Sequence, residues 1–274
     1  MGANSIAVLH AREMVHRRTA HLDHGSTNLE ARDKMRIFAV RRKLSLLLSI
    51  LLLLASASVF FATRYSMKLH TSPNWAGYVM QGTDGVTMVS AKWTVPALDC
   101  QKTPNAYSTA WVGVGGLGHA AVWPFPQTGS DSNCVDGEQV DDYWCSYQTF
   151  KQYVVSPGDV IEAKVFRNNK EWFCSVNDVT VGKSNTKVLD YKYTGITSTS
   201  EWIVESTTIS KGNRSKIGTL ADFEKLTFGR MSISPGRLGT VGHQSQDNVS
   251  MTGPNGKVIA FPSWSAGVMT IIYK

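Results

Sequence analysis

The sequence predicts an all-β fold for residues 74–274, arranged as a two-sheet antiparallel β-sandwich. Segments rich in Val, Ile, Thr, Tyr, Phe and Trp recur there between Gly, Pro, Asn and Asp. Their spacing of roughly 8–15 residues is typical of strands whose inward apolar side chains alternate with outward polar ones. Outside residues 44–62 the chain keeps no convincing 3.6-residue apolar period, and it has no fixed internal repeat. One domain is therefore predicted.

The predicted strands follow directly from these segments. In chain order they cover residues 75–80, 86–95, 107–114, 139–155, 160–167, 172–176, 188–193, 202–207, 223–228, 258–261 and 268–273. The stretch 232–256 is rich in Gly, Ser and Asn and is predicted to be a long loop or flap.

The N-terminal part contains a membrane-targeting segment. Residues 44–62 carry no charge, and their length is close to the ~20 residues that span a bilayer. Basic residues cluster before this segment, which predicts a cytoplasmic N-terminus and an exported C-terminal part. Residues 44–62 are thus a transmembrane signal anchor or a signal peptide, the latter cleaved near Ala57 in the small-residue run 55–57.

The remaining N-terminal boundaries follow from this segment. Residues 1–43 are predicted to be a short basic cytoplasmic tail, and residues 63–73 a linker. Residues 1–34 are alternatively an upstream extension, because a well-formed signal-peptide start begins at Met35.

Charge excludes a nucleic-acid function for the exported part. The chain has a net charge of +7, but residues 1–68 alone hold 11 Lys/Arg against 4 Asp/Glu. This leaves 17 basic and 17 acidic residues in 69–274, and no basic patch is evident there.

All four cysteines, Cys100, Cys134, Cys145 and Cys174, lie on the predicted exported side, where disulfides form readily. Two bridges are expected, and the sequence leaves their three pairings open. The spacing lacks C-x-x-C and H-E-x-x-H motifs, so no metal or cofactor is expected.

Glu201 and Glu205 are unusual because they lie within an apolar strand, where carboxylates are costly unless paired or used. Strand alternation places both on one face with Ile203, and Trp202 and Val204 on the other. Their side chains are roughly 13 Å apart along the strand. Because a glycosidase pair needs roughly 5–9.5 Å, the two are not expected to act together on a sugar.

Five ordered segments resemble the glutamic peptidase (eqolisin) family. They are Asn74-Trp75-Ala76-Gly77-Tyr78, residues 86–96, Thr109-Ala110-Trp111-Val112-Gly113, Pro-Gln-Thr-Gly-Ser-Asp at 126–131, and Glu-Trp-Ile-Val-Glu at 201–205. The resemblance implies a concanavalin-like jelly roll that hydrolyses polypeptides in acid as a monomer.

The resemblance also assigns roles. It implies that Glu205 is the general base and acid, and that Gln127 binds the attacking water and the oxyanion. From local sequence alone, Gln127 would instead be a turn residue between Pro126 and Gly129. Substrate-binding positions are expected among aromatic and acidic residues of the same segments and of the 139–155 strand: Trp111, Asp131, Trp144, Tyr147 and Glu201. Asp131 is expected to tune the pKa of Glu205 by like-charge interaction.

The chain departs from the family at two acidic positions. Gly115 and Cys145 stand where fungal members carry an Asp and a Glu, and residues 63–73 leave no room for an inhibitory pro-region. These losses keep open a catalytically silent surface protein that retains the fold. A non-catalytic carbohydrate- or cell-wall-binding sandwich is a further alternative, because such sandwiches often bind sugars through surface Trp and the chain has eight Trp. A serine hydrolase is not expected, because no G-x-S-x-G occurs and neither His119 nor His243 has a triad context.

Overall fold

A computed structural model describes residues 71–82, 85–117, 123–146, 148–149, 155–211, 213–235, 246–266 and 268–274. They all belong to a compact unit that spans Ser66–Lys274. The predicted membrane-targeting segment, Tyr147, His119 and His243 lie outside the described residues. Within the described ranges no helix is long and apolar enough to cross a membrane.

The described residues contain strands and no helix, which confirms the all-β prediction. The strands are β1 (Thr71–Ser72), β2 (Trp75–Gln81), β3 (Met88–Thr94), β4 (Ala106–Val114), β5 (Gln127–Val135), β6 (Glu138–Cys145), β7 (Gln148–Thr149), β8 (Val160–Asn168), β9 (Glu171–Asp178), β10 (Lys183–Val188), β11 (Thr199–Glu205), β12 (Thr208–Lys211), β13 (Arg214–Ile217), β14 (Lys225–Ser234), β15 (Gln246–Thr252), β16 (Val258–Ser265) and β17 (Val268–Tyr273).

The main sheet is one continuous hydrogen-bonded path in the order β10-β9-β8-β3-β14-β17-β16-β15-β2-β11-β4-β5-β6-β7. Every pair along this path is antiparallel, and β1 adds a short parallel contact to β15. Strands β12 and β13 form a separate exposed hairpin. β11 lies between β2 and β4, so the Glu-Trp-Ile-Val-Glu segment is central in its sheet.

The two arms of this path face each other across the main core. Trp93 on β3 donates its indole N–H to Ser130 on β5 at 3.0 Å, although β3 and β5 are not neighbours in the sheet. Trp202 on β11 likewise donates to the carbonyl of Ser90 on β3 at 3.0 Å. Both tryptophans are almost fully buried, and such aromatic side chains dominate the burial of apolar area in a core.

Two disulfides close the structure, as expected from the four cysteines. Cys100 pairs with Cys134, which joins the loop after β3 to β5. Cys145 pairs with Cys174, which joins β6 to β9 across the main core.

Three strand predictions were wrong. Residues 127–135 form β5, because they pair with β4 and β6 and their polar side chains bind Trp93 across the core and Thr109 on β4. A polar sequence gives no apolar alternation to detect. β15 occupies residues that were predicted to be loop, since it pairs with β2. The segment 188–193 is mostly irregular, because the strand there is β10, which ends at Val188.

Candidate active site

One face of the strands β2, β11, β4, β5 and β6 carries the predicted site residues. Glu205 lies opposite Trp75 on β2 and opposite Thr109 on β4, and Thr109 lies opposite Asp131 on β5. Residues directly opposite each other on paired strands point to the same face. These four side chains therefore form a single row across the sheet.

Two further rows follow at intervals of two residues, on the same face. The next contains Ile203, Trp111, Gly129 and Trp144. The third contains Glu201, Gly113 and Gln127. The sequence-based assignment of faces on β11 is thus confirmed: Ile203 packs in a small apolar cluster on this face, while Trp202 and Val204 enter the main core.

Glu205 is held by hydrogen bonds at both carboxylate oxygens. Asn74 donates its side-chain N–H to Oε1 at 2.9 Å, and Trp111 donates its indole N–H to Oε2 at 3.0 Å. Burial raises the pKa of Glu205 to about 7. The donors Trp75, Trp111 and Asn74 oppose this rise, and the charge of Asp131 adds to it. The carboxyl group is thus oriented, half-buried and sensitive to its acidic neighbour.

Asp131 is the second carboxyl group of this row. The Thr109 hydroxyl donates to it at 2.6 Å and lies 3.1 Å from the hydroxyl of Thr207. Burial is the main reason why the pKa of Asp131 is raised to about 6, while the bond from Thr109 opposes the rise. Asp131 therefore lies within electrostatic range of Glu205, as the sequence-based hypothesis required.

Gln127 is the first residue of β5, and its side chain is buried. Its backbone carbonyl accepts a hydrogen bond from the Ser146 amide at 2.9 Å. The expectation that Gln127 is a turn residue is therefore wrong. Its pairing with Gly113 on β4 and the hydrogen bond from Ser146 to its carbonyl fix Gln127 in the sheet. Gln127 lies four residues along the strand direction from the Glu205 row, roughly 13 Å, and two strands across, roughly 10 Å. The row of Trp111 and Gly129 lies between them.

Glu201 is fully buried, with 0 % of its surface exposed. It shares its row with Gln127, and only Gly113 lies between them in the sheet. Oε1 accepts a hydrogen bond from the amide of Gly116 at 3.1 Å. Burial raises the pKa of Glu201 to about 7. Glu201 and Glu205 thus share a face but have different partners.

Aromatic side chains border the site on this face. Trp75 and Trp111 make an edge contact with ring centroids 5.1 Å apart, and Trp144 packs against the same apolar cluster. Trp75 and Trp144 are half-buried, whereas Trp111 is fully buried. Trp111 therefore contributes its N–H group to Glu205 as well as its ring. Tyr147 lies outside the described residues.

Sequence reasoning missed two polar residues that organise the carboxyl groups. Asn74 binds Glu205, and Thr109 binds Asp131. Both stand in segments that carried the family resemblance, so their signal was present. Nothing in those segments indicated a contact, because Asn74 and Glu205 are separated by 131 residues.

The two positions at which the chain departs from the family, Gly115 and Cys145, have different surroundings. At Gly115, with φ +86°, an added Cβ would overlap the Tyr193 hydroxyl and the carbonyl of Ile196. Cys145 points into the main core and is bonded to Cys174, because Trp144 takes the site face in the strand alternation. Treating Cys145 as a lost carboxylate of the site was therefore wrong.

The described residues contain no group of three or more His, Cys, Asp or Glu side chains that could hold a metal ion. The chemistry available in this part of the chain is that of carboxyl groups, an amide and indole N–H donors. This set can transfer protons and stabilise a developing negative charge.

Comparison with known proteins identifies the class. Residues 73–273 match the model of the Peptidase A4 family. The chain therefore belongs to this family of glutamic peptidases, the eqolisins, and is a peptide hydrolase. Among curated protein sequences, none matches the chain significantly.

Solved eqolisin structures share the fold. Scytalido-glutamic peptidase with a transition state analog inhibitor is 22% identical, with a TM-score of 0.62, and the match covers 74% of this chain and 99% of that one. SCP-B in complex with the tripeptide Ala-Ile-His is 22% identical with a TM-score of 0.61 and the same coverages. Aspergilloglutamic peptidase from Aspergillus niger is 24% identical with a TM-score of 0.50, covering 62% of this chain and 99% of that one.

Proposed function

We propose that this protein is an exported endopeptidase that works in acid on polypeptides, with Glu205 as general base and acid and Gln127 as the donor to the oxyanion. The observation that carries the proposal is the pair of side-chain N–H bonds at Glu205. Trp111 and Asn74 fix both carboxylate oxygens on the face that also bears Gln127. The two-sheet sandwich is the scaffold of this arrangement.

Glu205 performs the proton transfers. Its ionised carboxylate accepts a proton from water as the water oxygen attacks the peptide carbonyl carbon. The protonated Glu205 then donates this proton to the leaving amine as the C–N bond breaks. Hydrogen bonds from Trp111 and Asn74 favour the ionised form that the first step needs.

Gln127 stabilises the charge that develops in the first step. Its side-chain amide offers two N–H donors and stays neutral at every pH, so it does not repel Glu205. The substrate carbonyl would lie between the two rows, above Trp111 and Gly129. There a donor to the oxyanion acts mainly in the transition state, where such a group is worth about 10²–10³ in rate.

Exposure favours Glu205 over Glu201 as the base. Glu205 ends β11 and is half-buried, whereas Glu201 has no exposed surface. A general base must come within hydrogen-bond reach of the water that it activates. Trp75 and Asp131 in the row of Glu205, together with Trp144 in the next row on β6, then form the surface that contacts substrate side chains.

Burial raises the pKa of Glu205 to about 7, so acid protonates most of this group, and activity in acid depends on the ionised fraction that the donors Asn74, Trp75 and Trp111 sustain. One observation supports an extracellular setting. The Cys100–Cys134 and Cys145–Cys174 disulfides are typical of exported proteins. The apolar segment 44–62 provides the export signal or anchor.

The test is hydrolysis of an unfolded protein substrate from pH 2 to 7 by wild type, Glu205→Gln and Gln127→Ala. Pepstatin and a chelator are added in separate reactions. We expect activity in acid that resists both inhibitors, is lost in Glu205→Gln and falls about 10²–10³-fold in Gln127→Ala. A folded wild type that cleaves nothing across this range would overturn the proposal and leave a non-catalytic binding protein.

A further inference from the structure

We infer that Glu201 is a positioning residue that holds the end of β4 beside Gln127, and that it does so as a neutral carboxylic acid. The role in catalysis rests on the proposed function, because Gln127 is the group that Glu201 would position. The structural part of the inference, a neutral buried acid that anchors β4, stands independently of it.

The surroundings of Glu201 disfavour a charge. Its side chain is fully buried on the face that also holds the apolar cluster of Val79, Trp111 and Ile203, and Val79 is its direct partner on β2. Isolated charges in such a setting are strongly disfavoured, and the group takes up a proton instead. Burial is also the main cause of its raised pKa.

The anchor acts where β4 ends and leaves the regular sheet. Three successive amides there have partners in two different segments, the residue before β5 and the strand β11. Val114 donates to the carbonyl of Pro126 at 3.0 Å, and Gly115 donates to that of Thr199 at 3.1 Å. Gly116 donates to Oε1 of Glu201 at 3.1 Å, so a side chain takes the place of a strand carbonyl.

Gly115 explains why a side chain is needed. Its φ of +86° turns the chain away from β11, so that the following amide no longer meets a backbone acceptor of that strand. Tyr193 fills the space beside this turn, and its hydroxyl donates to the carbonyl of Ile196 at 2.8 Å. The turn is therefore fixed by Tyr193 on one side and by Glu201 on the other.

This turn is coupled directly to Gln127. Pro126, the acceptor for Val114, precedes Gln127 in the chain. Gly113 lies between Glu201 and Gln127 in their row, and an added Cβ there would contact the Cβ of Gln127 at 3.3 Å. A shift at the end of β4 would therefore displace the oxyanion donor.

Oε2 is the second oxygen of this carboxyl group. It has no hydrogen bond of normal geometry within the described ranges, and neither has the Thr199 hydroxyl on the same face. This hydroxyl can donate to a carboxylate or accept from a protonated Oε2, and burial outweighs its effect on the pKa of Glu201, so burial in the apolar cluster is what favours the neutral acid. The titratable groups that share the face are Glu205 on β11, Asp131 on β5, Asp142 on β6, Asp247 on β15 and Tyr193.

The kinetic test compares Glu201→Gln, Glu201→Ala and Glu205→Gln at pH 4. Gln keeps the shape and an acceptor for Gly116, so we expect kcat of Glu201→Gln within about threefold of wild type. Glu201→Ala leaves the Gly116 amide without its acceptor, so kcat should fall about 10–100-fold. KM should change little, because Glu201 has no exposed surface with which to contact a substrate, contrary to the substrate-binding role expected from the sequence. Glu205→Gln, the same chemical change four residues away, should be inactive.

Two kinetic outcomes would refute the positioning role. A folded Glu201→Gln that is as inactive as Glu205→Gln would mean that the acid itself takes part in the chemistry. Wild-type kinetics for Glu201→Ala would mean that the anchor has no effect on Gln127.

Thermal melting tests the neutral acid without using activity. Glu201→Gln should match wild type at pH 4, where both side chains are neutral. At pH 8, Glu201→Gln should melt roughly 5 °C or more above wild type. Only wild type must then either bury a charged carboxylate or keep Glu201 protonated at a pH where the unfolded chain releases the proton. Equal melting of the two proteins at pH 8 would refute the neutral acid. If wild type proves inactive, the peptidase proposal fails and this measurement still decides the structural part.

Discussion

Replacing Glu205 by Gln should remove activity and yet stabilise the protein at neutral pH. Burial raises the pKa of Glu205 from 4.5 to about 7, so the folded state binds a proton more tightly than the unfolded state. Each tenfold difference in proton affinity corresponds to ~1.4 kcal/mol. Above pH 7 this group therefore costs the folded wild type about 3 kcal/mol relative to strong acid.

The sign follows from the two protonation states. Below pH 4.5 the group is protonated in both the folded and the unfolded chain, so it has no effect on relative stability. As pH rises from 4.5 to 7, the unfolded chain releases the proton first, and the folded state loses stability. Above that range the loss is constant.

Urea denaturation at pH 4 and pH 8 measures the effect. Wild type should lose stability between the two pH values, and Glu205→Gln should lose up to about 3 kcal/mol less. A small constant difference is also expected, because Gln offers only one oxygen to the donors Asn74 and Trp111. An equal pH dependence in the two proteins would refute the reasoning, and a wild type more stable at pH 8 would show that the hydrogen bonds outweigh burial.

Trp111→Phe removes the indole donor to Glu205 and should lower kcat/KM about tenfold. The pKa of Glu205 should also rise further, because a hydrogen bond to a charged group contributes about 1.5–3 kcal/mol. The control Trp202→Phe removes an equally buried indole N–H on the core face. It should lower the stability of the fold without shifting the pH profile of kcat/KM. A shifted pH profile in both variants would contradict a specific role for Trp111. Gly115→Asp puts back a carboxylate found in fungal members. It should destabilise the fold by at least about 2 kcal/mol in urea denaturation, because the backbone at this position is left-handed and leaves no space for a side chain. Gly158→Asp, at φ +94° in open space, should cost only the backbone part, and an equal loss in both variants would exclude the overlap as the cause.

The order of the motifs along the chain was sufficient to predict the family and the fold class. Strand alternation, with a period of two, also assigned the faces of β11 correctly from sequence. Alternation is a local property of an extended backbone, so it needs no knowledge of the neighbouring strands. The same holds for the number of disulfides, since four cysteines in an oxidising setting pair by default.

The pairing between strands could not be predicted from the sequence. The segment of β5 is polar and gives no alternating signal, so Gln127 looked like a turn residue until β4 and β6 were placed on either side of it. The choice of the Cys145–Cys174 bridge, and with it the core orientation of Cys145, depends on which strands face each other across the core. Such contacts join residues far apart in the chain, and local composition does not encode them.

For Glu201 and Glu205, the sequence determined that two carboxylates four residues apart lie on one face of an apolar strand. Only the tertiary structure decided that Glu205 is half-buried and held by Trp111 and Asn74, while Glu201 is enclosed and holds the amide of Gly116. The physical reason is that an identical side chain takes its proton affinity from burial and from its hydrogen-bond partners. Those partners come from β2, β4 and the residues next to them, which the chain brings to β11 only when it folds.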